Sequence, residues 1–153
     1  MHVIRPWRKG SVEPERPLIL IVEDDVWIRF IAGALLEEEG FAIARAADGQ
    51  AGLEMAERLH PAVILLDLGL PRVSGREFLR RLRSHTGLDR TPVIVVSGQT
   101  EPLSDSIVTL ADHVLRKPVD VTELIDLAHQ ASRRERVGPG AAVAVSSQRI
   151  AES

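Results

Sequence analysis

Short runs of apolar residues alternate with amphipathic segments along most of this chain. Five runs have the length and composition of strands: residues 18–22, 41–44, 62–66, 93–96 and 114–116. Most of them are nearly continuous in apolar character, which is typical of a parallel sheet that is covered on both faces.

The segments between these runs carry apolar residues at three- and four-residue spacing, which predicts helices. We expect helices near residues 26–39, 48–59, 78–82, 103–110 and 121–134, with Gly40 closing the first and Asp48 capping the second. Strands that alternate with helices form parallel βαβ units. The pattern therefore predicts an α/β, flavodoxin-like, doubly wound sheet of five parallel strands in the order 2-1-3-4-5, with helices on both faces.

The two ends of the chain lack this periodicity. Residues 1–16 are rich in Arg, Pro and Glu and are interpreted as a flexible leader, and residues 17–134 as the folded domain. Residues 135–153 follow a Gly-Pro-Gly break and are interpreted as a disordered tail. Trp7, within the leader, has two interpretations: a loosely packed surface aromatic, or an anchor for a partner.

Composition narrows the class of protein. The chain has 153 residues, a formal net charge of −3 and no cysteine. This charge provides no basic face for nucleic acid, and no apolar run approaches the roughly 20 residues that span a bilayer. We therefore expect no nucleic-acid or membrane partner, and a cytoplasmic location.

Four of the predicted strands deliver a polar side chain at their carboxyl ends. They are followed by Glu23 with Asp24, by Asp67, by Ser97 and by Lys117. In the predicted order, strands 1 and 3 are neighbours, so the three acids converge at the edge where such sheets bind ligands. Taken singly, each residue has a simpler interpretation as a turn residue, a helix cap or a solvated strand end.

Carboxylates that converge repel one another, by about 4 kcal/mol for a close pair at an effective dielectric near 20. Oxygen ligands with open positions suit Mg²⁺, which we expect to bind Asp24 and Asp67. Lys117 could pair with a phosphoryl oxygen, and Ser97 could donate a hydrogen bond to another. Asp67 would then be the nucleophile that forms an aspartyl-phosphate.

Together these motifs resemble the receiver domain of response regulators in two-component signalling. The resemblance covers roughly residues 17–134 and rests on four stretches: Ile21-Val22-Glu23-Asp24-Asp25, Leu65 to Pro71 with Gly75, Val95-Val96-Ser97-Gly98, and Lys117-Pro118. It implies that Asp67 accepts a phosphoryl group from a histidine kinase or histidine phosphotransfer protein. It implies Mg²⁺ on Asp24, Asp67 and the carbonyl of Gly69, with Glu23 in support, and Ser97 and Lys117 on the phosphoryl group.

The chain departs from the family pattern in the segment that usually transmits the signal. An aromatic residue usually lies three residues before the lysine, where this chain has Val114. The segment 100–112 also predicts only a brief helix. No output domain is predicted after residue 134. We therefore expect a stand-alone switch or phosphorelay intermediate that binds a downstream protein, as a monomer or a phosphorylation-dependent dimer, and has no enzymatic activity beyond self-phosphorylation and self-dephosphorylation.

Three alternatives compete with this interpretation. The first is a receiver-like binding module that works without phosphorylation, which the missing aromatic favours. The second is a small phosphatase with an aspartyl nucleophile, which commonly needs an acid two residues later, where this chain has Gly69. The third is a nucleotide- or flavin-binding domain, which the lack of a glycine-rich loop after the first strand disfavours.

Overall fold

The computed structural model describes residues 16–98 and 102–133 and the backbone of residues 144–146. Strands and helices alternate along these residues. The elements are β1 Leu18–Val22, α1 Val26–Glu38, β2 Ala42–Ala46, α2 Gly49–Leu59, β3 Val63–Asp67, α3 Gly75–Ser84, β4 Val93–Ser97, α4 Asp105–Leu110, β5 His113–Arg116, α5 Val121–Ser132 and β6 Ala144–Ser146. All five predicted helices are present, and α4 is brief.

The strands form one parallel sheet in the order β2-β1-β3-β4-β5-β6. The predicted order 2-1-3-4-5 is confirmed. The sheet has one strand more than predicted, because β6 pairs with β5. A five-stranded sheet would leave one row of β5 backbone groups unpaired, and an extended segment of chain can bond to that row.

This sixth strand corrects the interpretation of residues 135–153 as a disordered tail, since residues 144–146 form a strand within it. The remainder of that tail and residues 1–15 of the predicted leader, Trp7 included, lie outside the described residues.

The side chains of each strand alternate between two apolar cores, one on each face of the sheet. Leu20, Val22, Ile64 and Leu66 pack with α2, α3 and α4, whereas Ile19, Ile21, Val63 and Leu65 pack with α1 and α5. The central strand β3 is buried along its whole length. The doubly wound architecture is thereby confirmed.

Polar side chains fix where the helices begin. Asp48 caps α2 as predicted, its side chain accepting from the backbone N–H of Ala51 at 2.8 Å. The start of β2 differs from the prediction, because β2 begins at residue 42 rather than 41. The N–H of Phe41 donates to the carbonyl of Leu36 at 3.2 Å, so this residue still belongs to the exit of α1. Gly40 has a positive φ of 99° and closes the helix as expected.

None of the helices in the described part of the chain is long and apolar enough to cross a membrane.

Candidate functional site

The carboxyl ends of four adjacent strands bring the predicted site residues to one edge of the sheet. Asp67 is the last residue of β3 and lies opposite Val96 of β4. Ser97 ends β4 and lies opposite Arg116 of β5, immediately before Lys117. On the other side, Glu23 and Asp24 follow β1, the second neighbour of β3. The parallel register therefore places residues 94 positions apart in the chain at the same edge.

Three carboxylates form a compact cluster at this edge. Glu23, Asp24 and Asp67 each offer an oxygen, and these oxygens lie within 4.8 Å of one another. Glu23 and Asp67 are buried, while Asp24 is exposed. A set of hard oxygen donors, open to water on one side, fits the chemistry of Mg²⁺.

Burial at this cluster changes the protonation of Glu23. Its pKa is raised from 4.5 to about 7, first because burial disfavours the charged form and then because the negative charge of Asp67 lies close by. A hydrogen bond from the N–H of Asp25, at 3.0 Å, opposes the rise. Without a cation, the cluster therefore favours a proton on Glu23, and a cation bound beside the three carboxylates would favour the ionised form instead.

Lys117 supplies the positive charge at the site. Its Nζ lies 3.5 Å from Asp67 Oδ1. The ammonium group is partly exposed, whereas the Asp67 carboxylate is buried. The N–H of Lys117 donates to the carbonyl of Ser97 at 2.8 Å, so β4 directly fixes where the lysine leaves the sheet. The peptide bond from Lys117 to Pro118 is cis.

Ser97 has an unusual environment for a hydroxyl group. The residue is fully buried, and its Oγ has no hydrogen-bond partner among the described residues. A buried hydroxyl without a partner costs about 1–3 kcal/mol relative to one that is bonded. This hydroxyl is therefore available to an oxygen of a group placed at the end of the sheet.

Gly69 contributes its backbone in a way that the motif did not predict. Its N–H donates to Asp67 Oδ1 at 3.2 Å. Asp67 thus receives a hydrogen bond on the oxygen that also faces Lys117. The carbonyl of Gly69 as a metal ligand stays a prediction.

Arg29 of α1 was missed by the sequence interpretation. Its guanidinium donates to the carbonyl of Glu23 at 2.8 Å and to that of Asp24 at 3.4 Å. It therefore holds the backbone of the acidic loop from the helix that follows. In the sequence, the one sign of this contact is a cation one turn into the helix that follows an acidic run. Cations are common at that position for other reasons, so the sign is weak.

Val114 occupies the place where the family usually has an aromatic residue. It is fully buried on the face of the sheet that carries α4, in the same core as Ile107 and Ala111. The helix α4 has six residues, and Ile107 is its one buried residue. The segment beside the site is therefore short and anchored by few side chains, as the sequence indicates.

Comparison with known proteins agrees with this geometry. The structure is similar to that of the chemotaxis response regulator CheY4 of Vibrio cholerae, with a TM-score of 0.70 and 25% sequence identity over 76% of this chain and 99% of that one. The sequence is 41% identical to the KDP operon transcriptional regulatory protein KdpE of Escherichia coli over 119 residues, which is 76% of this chain and 51% of that protein.

A second curated relative is the DNA-binding dual master transcriptional regulator RpaA of Synechocystis sp., 35% identical over 82% of this chain and 53% of that protein. The chain thus spans about half the length of these curated relatives. The family model of the response regulator receiver domain matches residues 19–129, which include the acidic cluster, Asp67, Ser97 and Lys117. The chain therefore belongs to the response regulator receiver domains of two-component signal transduction.

Proposed function

We propose that this receiver accepts a phosphoryl group on Asp67 from a histidine kinase or a histidine phosphotransfer protein. One observation carries the proposal: a buried carboxylate, Asp67, lies 3.5 Å from the ammonium of Lys117 and beside two further carboxylates. A purely structural aspartate at a strand end needs neither neighbour.

The phosphoryl transfer from phosphohistidine to Asp67 needs only groups of the donor and of this site. An oxygen of the Asp67 carboxylate attacks phosphorus, the new O–P bond forms, and the N–P bond of the donor phosphohistidine breaks, leaving the imidazole with the electron pair. Lys117 lies where it can pair with a phosphoryl oxygen, and the Ser97 hydroxyl can donate to another. Glu23, Asp24 and Asp67 would hold Mg²⁺, which supplies charge neutralisation for the incoming group. Attack of water on phosphorus later releases phosphate and restores the carboxylate.

The same proposal covers the receiver's partners and location. The modified domain would act by binding a downstream protein, as a monomer or as a phosphorylation-dependent dimer, without contacts to nucleic acid or membrane. It would turn over no substrate other than its own phosphoryl group. A cytoplasmic location fits this function, because ATP is the source of the phosphoryl groups that histidine kinases carry.

The direct test is modification by a small phosphodonor. With acetyl phosphate and Mg²⁺, intact-mass measurement should show one added phosphoryl group, and removal of Mg²⁺ with a chelator should abolish the addition. Asp67→Asn should not be modified, whereas Asp89→Asn, a change of the same type at an exposed aspartate, should be modified like the parent protein. Equal modification of Asp67→Asn and the parent would overturn the proposal.

A receiver-like binding module that works without phosphorylation is the second candidate. The buried Val114 and the six-residue α4 favour it, since the usual aromatic of the signalling face is missing. The two functions are separated by capture of the downstream protein on the immobilised receiver. Binding that is the same with and without Mg²⁺ and beryllofluoride, and unchanged by Asp67→Asn, would favour the second candidate.

A further inference from the structure

Arg116 places a guanidinium group beside Ser97 at the end of β5. It is the last residue of that strand, directly before Lys117, and it lies opposite Ser97 in the register of β4 and β5. The residue is half-buried. A cation is costly to remove from water unless its donors are bonded, so its position at the end of a buried strand requires an acceptor nearby.

The side chains of Ser97 and Arg116 lie on the same face of the sheet. Val95 and Val114, two residues earlier in the two strands, pack in the core on the side of α2, α3 and α4. Successive side chains of a strand alternate between the faces, so Ser97 and Arg116 return to that side. The two residues are therefore direct neighbours across the strand pair.

Arg116 bonds to the backbone that follows Ser97. Its Nη1 donates to the carbonyl oxygen of Gly98 at 2.6 Å. A Cβ added at Gly98 would meet no atom of the described residues within 4 Å, so side-chain packing does not hold this glycine. A charged donor makes a stronger hydrogen bond than a neutral one. The orientation of the peptide group after Ser97 therefore depends on Arg116.

The backbone before this point is held by the strand ladder. The carbonyl of Val96 accepts from the N–H of Leu68 at 2.9 Å, and the carbonyl of Ser97 accepts from the N–H of Lys117 at 2.8 Å. Arg116 binds the next carbonyl, one residue beyond the end of β4. Ser97 is thus held on its amino-terminal side by main-chain bonds and on its carboxyl-terminal side by an arginine side chain.

The hydroxyl of Ser97 has to be held in place if it is to act on a reacting group. It is fully buried, and its Oγ has no hydrogen-bond partner among the described residues that could fix its direction. The backbone angles of a residue decide which side-chain rotamers it adopts. A misplacement of about 1 Å can slow a reaction by about 100-fold, so the backbone at Ser97 has to be well fixed.

We propose that Arg116 is a positioning residue for phosphoryl transfer. Through the carbonyl of Gly98 it fixes the backbone at Ser97, so that the Ser97 hydroxyl meets an oxygen of the phosphoryl group on Asp67. This inference rests on the proposed function of Asp67 as the phosphoacceptor. Arg116 acts on the reaction only through Ser97.

A double-mutant cycle tests this role by intact-mass time courses with acetyl phosphate and Mg²⁺. Arg116→Met should slow the modification of Asp67 about threefold to tenfold, because the hydroxyl is less well placed. Ser97→Ala should slow it at least as much. Adding Arg116→Met to Ser97→Ala should have no further effect, since no hydroxyl remains to be positioned. Arg116→Lys keeps the charge with a shorter reach, and it replaces Arg116→Met in the cycle if that variant does not fold.

Arg76→Met is the matched control. The Arg76 Nη2 donates to the carbonyl of Pro102 at 3.0 Å, an arginine-to-carbonyl bond at the far end of the same connection between β4 and α4. This variant should be modified at the rate of the parent protein.

Nitrogen-15 relaxation measures the positioning without phosphodonor or Mg²⁺. In Arg116→Met the order parameter of the Gly98 amide should fall from the rigid range of about 0.85 toward about 0.6, and in Arg76→Met it should not change.

The outcomes separate this inference from the proposed function. A parent protein that is not modified at Asp67 would overturn the proposed function, and the inference with it. If the parent is modified and Arg116→Met reacts at the same rate, the inference alone is wrong. It is equally wrong if Arg116→Met slows the Ser97→Ala variant by the full factor seen in the parent, or if the order parameter of Gly98 is unchanged.

Discussion

At the scale of one residue, Ser97 is the buried polar group at this edge of the sheet whose burial is hardest to explain by stability. Its hydroxyl lies in a fully buried position where the described structure offers it no hydrogen bond. Evolution for stability alone would place alanine or valine there, since a buried donor without an acceptor lowers stability. A phosphoryl group on Asp67, as proposed, would provide the acceptor that this hydroxyl lacks.

Replacing Ser97 by alanine should therefore leave the free energy of unfolding unchanged or raise it by about 1 kcal/mol, because an unpaired donor is removed. Modification of Asp67 by acetyl phosphate should slow in the same variant. Urea unfolding without Mg²⁺ measures the first effect, and intact-mass time courses measure the second. Ser74→Ala is the matched control: the Ser74 Oγ caps α3 by accepting from Glu77 N–H at 3.1 Å, so its loss should cost about 1 kcal/mol. A comparable loss at Ser97 would contradict the prediction.

Glu23 should make the stability of the metal-free protein depend on pH. Its pKa is raised from 4.5 to about 7 by folding, so the folded state binds the proton more tightly than the unfolded state. The resulting stabilisation is fully present below pH 4.5 and is lost as the pH rises through about 7.

Thermal unfolding in a chelator, from pH 5 to pH 8, should show this loss in the parent protein and a flatter profile in Glu23→Gln. Excess Mg²⁺ should flatten the profile of the parent, because a cation at the cluster favours the ionised carboxylate. Parallel profiles for the parent and Glu23→Gln would show that Glu23 does not titrate in this range.

At the scale of elements, the start of α3 is pressed against the end of β3. A Cβ added at Gly75 would lie 2.7 Å from Leu68 Cα and 3.0 Å from the carbonyl oxygen of Asp67. Both neighbours are backbone atoms, which cannot rotate away. This close approach fixes where the chain turns after β3.

Gly75→Ala should therefore destabilise the fold by about 1–3 kcal/mol, the usual cost of inserting atoms into a packed region. Gly98→Ala is the matched control, since a Cβ there meets no atom of the described residues within 4 Å. Urea unfolding of the two variants provides the comparison. Equal stability of Gly75→Ala and Gly98→Ala would mean that the α3 start shifts at no cost.

At the scale of the whole molecule, one largely buried ion pair ties α3 to the sheet on the side of α4 and β5. The Arg83 guanidinium lies 3.0 Å from Asp112 Oδ2 and also donates to the carbonyls of Leu110 at 3.0 Å and Thr91 at 2.6 Å. Asp112 Oδ2 in turn accepts from the N–H of Val93 at 2.8 Å. Elements distant in sequence therefore share one network.

Arg83→Met should lower the free energy of unfolding by about 3–5 kcal/mol, because it removes the cation that pairs with the Asp112 carboxylate and the donor to several backbone carbonyls. Arg80→Met is the control on the same helix: Arg80 pairs with Glu77 at the surface, where water screens the charges, so its loss should cost much less than the loss of Arg83. Chemical denaturation measures both. If the two variants were equally stable, the Arg83 network would be dispensable.

The sequence by itself determined the strands, the helices and the polar residues that end four of the strands. The elements could be predicted because apolar periodicity and capping residues are local features of the sequence. The common edge could be predicted because parallel strands have their carboxyl ends on the same side of a sheet, independently of the loops that connect them. Val114 and the short α4 could be predicted for the same reason. Both are differences from the receiver family that lie in short stretches of sequence, at positions fixed relative to Lys117.

The tertiary structure decided what depends on contacts between distant residues. Three sets of contacts join segments whose sequences do not predict each other as partners. They are the pairing of β6 with β5, the hydrogen bonds of Arg29 to the acidic loop, and the Arg83 network. The hydroxyl of Ser97, which has no hydrogen-bond partner among the described residues, is likewise visible only when the neighbours of each atom are known. Burial and hydrogen bonding are properties of a three-dimensional environment, and local sequence specifies which groups need partners but not which groups provide them.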